Sequence, residues 1–152
     1  MKSALLTKIR NELRTRLEVL SRAAMDAHAA ATDPGSKAEG KYDTRSLEAS
    51  YLAAGQARQV DELAEAVRIF DGLTLPDFAK HDPIDAGALV EVELGGESLC
   101  YLLAPASGGL ELSHEGREVT LLTPASSLYQ KLLGLEVGDK LDAPPLRVTG
   151  VA

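Results

Sequence analysis

The stretch "TDPGSKAEGKYDTR", residues 32–45, places Pro34, Gly35 and Gly40 between two runs that repeat apolar residues at helical spacing. Pro and Gly are poor helix residues, and Asp33 and Ser36 favour turns, so the stretch reads as a loop. Upstream, from Ala4 to about Ala31, there is no Gly or Pro. Leu6, Ile9, Leu13, Leu17, Leu20, Ala24 and Ala27 recur there at steps of three and four, the mark of an amphipathic helix. Downstream, from Thr44, the residues Ala49, Ala53, Val60, Leu63, Val67 and Phe70 hold heptad positions, with Gln56 as the one polar member. The second run closes at Asp71-Gly72, with Pro76 beyond it. Two helices, each roughly 42 Å long at ~1.5 Å per residue and joined by one loop, predict an antiparallel helical hairpin.

Beyond the hairpin the periodicity changes to two. Ala88–Leu94 alternates, Gly95-Gly96 supplies a tight turn, and Ser98–Leu103 returns, which predicts a β-hairpin. Gly108-Gly109 precedes a further strand pair, Leu110–Ser113 and Glu118–Leu122. A short helix is expected over 124–133, with Thr123 as its N-cap, Pro124 as its first residue and Gly134 closing it. Val137-Gly138-Asp139 then turns into a last strand pair that ends near Thr149. The expected organisation is α+β: a hairpin over 1–74 with its tip at 33–45, a linker over 75–86, and a small antiparallel sheet domain with one helix over 87–152.

Composition narrows the function. In 152 residues, aromatics are 4%, Trp is absent and hydrophobic residues are 45%, so the core must be built from aliphatic side chains and alanine. The single Cys100 excludes an internal disulfide framework and a multi-cysteine metal site, and suits a reducing cytoplasm. Met1–Leu20 interleaves Lys2, Lys8, Arg10, Arg14 and Arg16 with apolar residues, a pattern of neither a signal peptide nor a membrane span. The net charge of −7 is uneven: residues 1–31 carry 6 basic and 3 acidic side chains, residues 82–152 carry 4 and 11. The acidic second half argues against nucleic-acid binding there and favours a basic protein partner. His28, His81 and His114 lack metal-ligand spacing and read as surface residues.

The run "VTLLTPASSLYQKLLGLEVGDKL", residues 119–141, resembles the segment of the Gre transcription elongation factors (GreA and GreB) in which Ser-Pro begins a short helix, Gly closes it and Val-Gly-Asp turns into the final strands. Thr123-Pro124, Lys131-Leu132-Leu133-Gly134 and Val137-Gly138-Asp139 carry the match, and "LEASYLAAGQARQ", residues 47–59, is similar to the family's stretch after its hairpin tip. The chain looks like a short, divergent Gre-like member. The resemblance implies an FKBP-like second domain that docks at the rim of the RNA polymerase secondary channel. It also implies a coiled-coil hairpin inserted into that channel, close to the nascent RNA 3′ end. Such a factor is an accessory, not an enzyme, and has no cofactor of its own. Its tip carboxylates assist the polymerase's catalytic Mg²⁺.

The tip candidates are Glu39, Tyr42, Asp43, Thr44 and Glu48, with Asp43 and Glu48 as Mg²⁺ contacts shared with the polymerase. Aligning Tyr51 with the family tyrosine places the family's two acidic residues at Thr44 and Leu47, so each carboxylate here is displaced by one position. Inside a helix that displacement turns Glu48 by about 100°. Lys37, Glu39, Lys41, Asp43 and Arg45 alternate in sign and would share one face of an extended tip. Alternative roles stay open: Asp43 or Thr44 as helix cap, Glu39 and Glu48 as solvated side chains, and Tyr42 as a base-stacking group or one folded on the hairpin. Arg10, Arg14, Arg22 and Arg58 are candidates for an RNA-facing side or for a solvated helix face, and Thr123 and Pro124 for polymerase docking or a simple N-cap. Two outcomes follow at the channel, stimulated cleavage or occupancy that competes with cleavage factors. A prolyl isomerase stands further off, because the expected sheet domain holds only Tyr101 and Tyr129 as aromatics. An intramolecular hairpin predicts a monomer.

Overall fold

The computed structural model describes residues 2–32 and 45–152, with side chains described at 2–29 and 54–152. The elements are α1 (Lys2–Thr32), α2 (Arg45–Asp71), β1 (Leu89–Leu94), β2 (Glu97–Leu103), β3 (Glu111–His114), β4 (Arg117–Leu122), α3 (Ser127–Leu132), β5 (Lys140–Asp142) and β6 (Pro145–Val151). They fall into two compact units, one of residues 10–71 and one of residues 1–9 with 72–152.

In the helical unit the predicted stripe is the shielded one. Leu13 and Phe70 are buried, and Leu17, Leu20, Ala24 and Ala27 on α1 and Gln56, Val60, Leu63 and Val67 on α2 are half-buried. The Arg10 guanidinium donates Nε to the Phe70 carbonyl at 2.7 Å, and Arg14 pairs with Asp71 at 2.6 Å. The early turns of α1 therefore meet the last turn of α2, and the helices run antiparallel. Arg10 and Arg14 also lie where a helix C-terminus exposes orphan carbonyls and partial negative charge.

The second unit is an α+β arrangement around a six-stranded sheet in the order β3-β4-β2-β1-β6-β5. Four of its pairings are antiparallel as expected, and β2 with β4 is parallel. The reason lies in composition. β4, with Val119 and Leu121 buried, suits an interior position, whereas β3, with Glu111 and Ser113 exposed, suits an edge. β4 accordingly inserts between β3 and β2. Gly95 and Gly96 both have positive φ, 59° and 82°, which a two-residue turn matched to strand twist requires.

One face of the sheet carries Val90, Val92, Leu103, Leu146 and Val148, packed with Tyr129 and Leu132 of α3. Ile84, in the stretch read as a linker, is 1% exposed and belongs to this core, and Phe78 packs against it. The opposite parity of the strands buries Cys100, Leu102, Val119 and Leu121. The first turns of α1 add buried Leu5, Leu6 and Ile9 to the unit. They are tied to it by Lys8, whose Nζ donates to the Ser113 carbonyl at 2.9 Å. His114 is a correction: it is 4% exposed rather than a surface residue, because its position in β3 pairs it with Arg117 on the same side as the buried Val119.

Candidate functional site

The candidate site residues fall mainly in two stretches, 39–48 and the turn before α3. Glu39, Tyr42, Asp43 and Thr44 lie outside the described residues, and so does the side chain of Glu48, although its backbone is part of α2. The Asp43 and Glu48 Mg²⁺ contacts thus fall outside as well. Among the described residues no group of three or more His, Cys, Asp or Glu side chains is placed to hold a metal ion. No helix among them is long and apolar enough to cross a membrane.

The turn before α3 is described in full. The expected helix over 124–133 is shorter: α3 starts at Ser127, its N-cap is Ser126, and that side chain makes no capping hydrogen bond. Thr123 caps nothing. Instead Ser126 N–H donates to the Thr123 carbonyl at 2.8 Å, closing a turn in which Pro124 holds the second position. The fixed φ of proline serves that turn as well as it would serve a first helical residue, which is why the two are indistinguishable from the residue types alone.

The turn is braced on three sides. Ala104 N–H donates to the Leu122 carbonyl at 2.7 Å, and Gln130 Nε2 reaches back from α3 to the Pro124 carbonyl at 2.9 Å. Gly108 lies against Thr123, so that a Cβ there would stand 3.0 Å from Thr123 Oγ1 and 3.2 Å from Cγ2. Pro124 and Ala125 are exposed while Thr123 is half-buried. The result is a pre-formed apolar knuckle that a partner can engage with little ordering cost. Gly108 is a bracing residue of this turn that sequence reasoning missed. Its signal was the Gly108-Gly109 pair, of which only Gly109 has positive φ, 87°, leaving close approach as the use of the first.

After α3, Gly134 takes φ 82° and donates its N–H to the Ile84 carbonyl at 2.8 Å. Val137-Gly138-Asp139 is a closed turn, as expected: Asp139 Oδ2 accepts from Glu136 N–H at 2.8 Å, and Gly138 N–H donates to the Val148 carbonyl at 2.8 Å.

The basic candidates divide. Arg10 and Arg14 are engaged at the end of α2, Arg22 pairs with Glu18 at 3.2 Å on an exposed face, and Arg58 is exposed on α2. The described helical unit therefore holds no array of four converging guanidinium groups.

Comparison with protein-family models and with curated proteins finds no match. Among solved structures, the chain is similar to GreA factor homolog 1 (Gfh1) of Thermus thermophilus, with 22% identity over 94% of each chain and a TM-score of 0.37. It is also similar to Gfh1 of Thermus aquaticus, with 21% identity over 93% of this chain and 92% of that one and a TM-score of 0.36. A further structure of the transcription factor Gfh1 gives 23%, 93%, 92% and 0.38 in the same order. Likeness at this level assigns no function.

Proposed function

We propose that the chain is a Gre-like accessory factor of RNA polymerase, whose hairpin enters the secondary channel while the sheet unit docks at the rim through Thr123 and Pro124. The observation that carries this reading is one chain holding both a hairpin of two long helices and a braced Thr-Pro turn, followed by a short helix, Gly134 and the Val137-Gly138-Asp139 turn. The hairpin gives reach, since 27 residues of α2 span about 40 Å. The turn gives a rigid foothold. The reaction modulated is the polymerase's own, so the factor needs no nucleophile or resident metal; its part is to bring Glu39, Tyr42, Asp43, Thr44 and Glu48 near the catalytic Mg²⁺ and the RNA 3′ end.

A second reading within the same architecture is favoured by the tip residues themselves. Lys37, Lys41 and Arg45 alternate with Glu39 and Asp43, and the near-neutral sum weakens any pull on Mg²⁺. The factor then occupies the channel and competes with cleavage factors.

One experiment separates the two. The purified protein is added to a backtracked polymerase complex and RNA length is followed, with Asp43→Ala and Glu48→Ala in parallel. Shortening that disappears in the variants is the result expected of assistance, and protection against another factor's cleavage is that of competition. Absence of polymerase binding at micromolar concentration rejects both.

A further inference from the structure

The stretch 76–85 folds back beside the end of α3 and is locked there. Asp82 Oδ2 accepts from Ala79 N–H at 2.7 Å, and Asp82 N–H returns to the Ala79 carbonyl at 3.0 Å. Ile84 N–H donates to the Leu135 carbonyl at 2.8 Å while the Ile84 carbonyl accepts from Gly134. Between these segments is an open hollow of about 540 Å³. Its floor is apolar, built from Phe78, Ile84 and Leu133 with Pro76 and Pro83 at the sides. Its rim is acidic: Asp77, Asp82 and Asp85 line it and all three are exposed, and among the described residues the one cation beside it is Lys2, which bonds the Pro76 carbonyl.

We propose that this hollow is a docking groove for a basic segment of a protein partner, which seats an aliphatic side chain on Phe78, Ile84 and Leu133 and brings Lys or Arg to the aspartates. Charge complementarity selects the occupant. Three carboxylates around an apolar floor repel nucleic acid and anionic surfaces, and reward a chain that alternates aliphatic and cationic groups. The molecule already supplies an example of the match: Lys2 Nζ stands 4.9 Å from the centre of the Phe78 ring. Neither Thr123 nor Pro124 lines the groove, so the proposal does not use the docking turn and stands whether or not the polymerase reading does.

The test is a nuclear magnetic resonance titration of the isotope-labelled full chain with a synthetic peptide alternating lysine and leucine, against the matched glutamate–leucine peptide. The expected result is saturable shifts at Phe78, Ile84, Leu133 and Gly134 with the lysine peptide alone. The pair Asp77→Asn with Asp85→Asn should weaken it by about tenfold. Asp82 is left intact because it holds the turn. Equal response to both peptides, shifts that spread over other acidic surfaces, unchanged affinity in the double variant, or no saturable shift would each overturn the proposal.

Discussion

Lys2 stands over Phe78, its ammonium 4.9 Å from the ring centre, and it also donates to the carbonyls of Pro76 and Ala152, the latter at 2.9 Å. One side chain at the start of α1 thus ties together two separate parts of the sheet unit, the stretch 76–78 and Ala152. Burial pulls its pKa below the ordinary lysine value, with Asp77 opposing. Lys2→Ala removes two charge-assisted hydrogen bonds and the ring contact, and should cost about 2 kcal/mol. Thermal unfolding monitored by near-ultraviolet circular dichroism checks this, and Lys2→Arg should recover part of the loss.

Gly108→Ala presses a methyl group onto Thr123 and should displace the turn at Pro124. The expected outcome is a loss of about 1 kcal/mol in stability; the proposed docking at this turn also predicts weaker polymerase binding. Thr123→Ala in the same chain removes both close atoms, so the double variant should regain the stability while its binding reports on the turn itself. A double-mutant cycle on unfolding midpoints measures the coupling; additive effects would mean that the two residues do not press on each other.

Gln56 Oε1 is buried in the helical unit without a hydrogen-bond partner among the described residues. A polar residue at a seam position lowers stability and selects one register. Gln56→Leu should raise the hairpin's unfolding free energy by about 1 kcal/mol. It should also permit association of chains at high concentration, visible by analytical ultracentrifugation as a species heavier than the parent.

His114 titrates into instability. Burial lowers its pKa below the ordinary histidine value; the Glu115 carboxylate opposes this, and the Lys8 and Arg117 cations add to it. Its Nδ1 also lacks a hydrogen-bond partner among the described residues. Because the folded state binds the proton less readily than the unfolded state, the contribution is intact above the unfolded pKa of about 6.5 and is lost as pH falls through the lower folded value. Unfolding midpoints should therefore drop between neutral and mildly acidic pH. His114→Leu should flatten that slope, and a slope left unchanged would place the titrating group elsewhere.

The hairpin was legible because its heptad spacing is local: Leu13, Leu17, Leu20 and Ala24 announce their face without reference to anything distant. Gly95-Gly96 was legible for the same reason. The place of β4 was not, since the alternation of Val119 and Leu121 fixes a strand and a buried side but not the neighbour it pairs with. Thr123 was misassigned because proline fits a turn and a helix start equally. His114 was misread because histidine carries no hydropathy signal strong enough to declare its side of β3. The groove was invisible, as its floor joins Phe78 and Ile84 to Leu133 across some fifty residues of chain.

The sheet unit draws on residues 1–9 and on 72–152, with the whole of 10–71 emitted between them. During synthesis on the ribosome, Leu5, Leu6 and Ile9 leave the exit tunnel long before the strands that will cover them exist. They must wait as exposed apolar surface through the production of the hairpin, which can close first from contiguous sequence. The same order governs dissection in the laboratory. A fragment beginning at Gly72 lacks part of its own interior, so the sheet unit is best isolated from a rearranged gene that joins the first nine residues to the remainder through a short spacer.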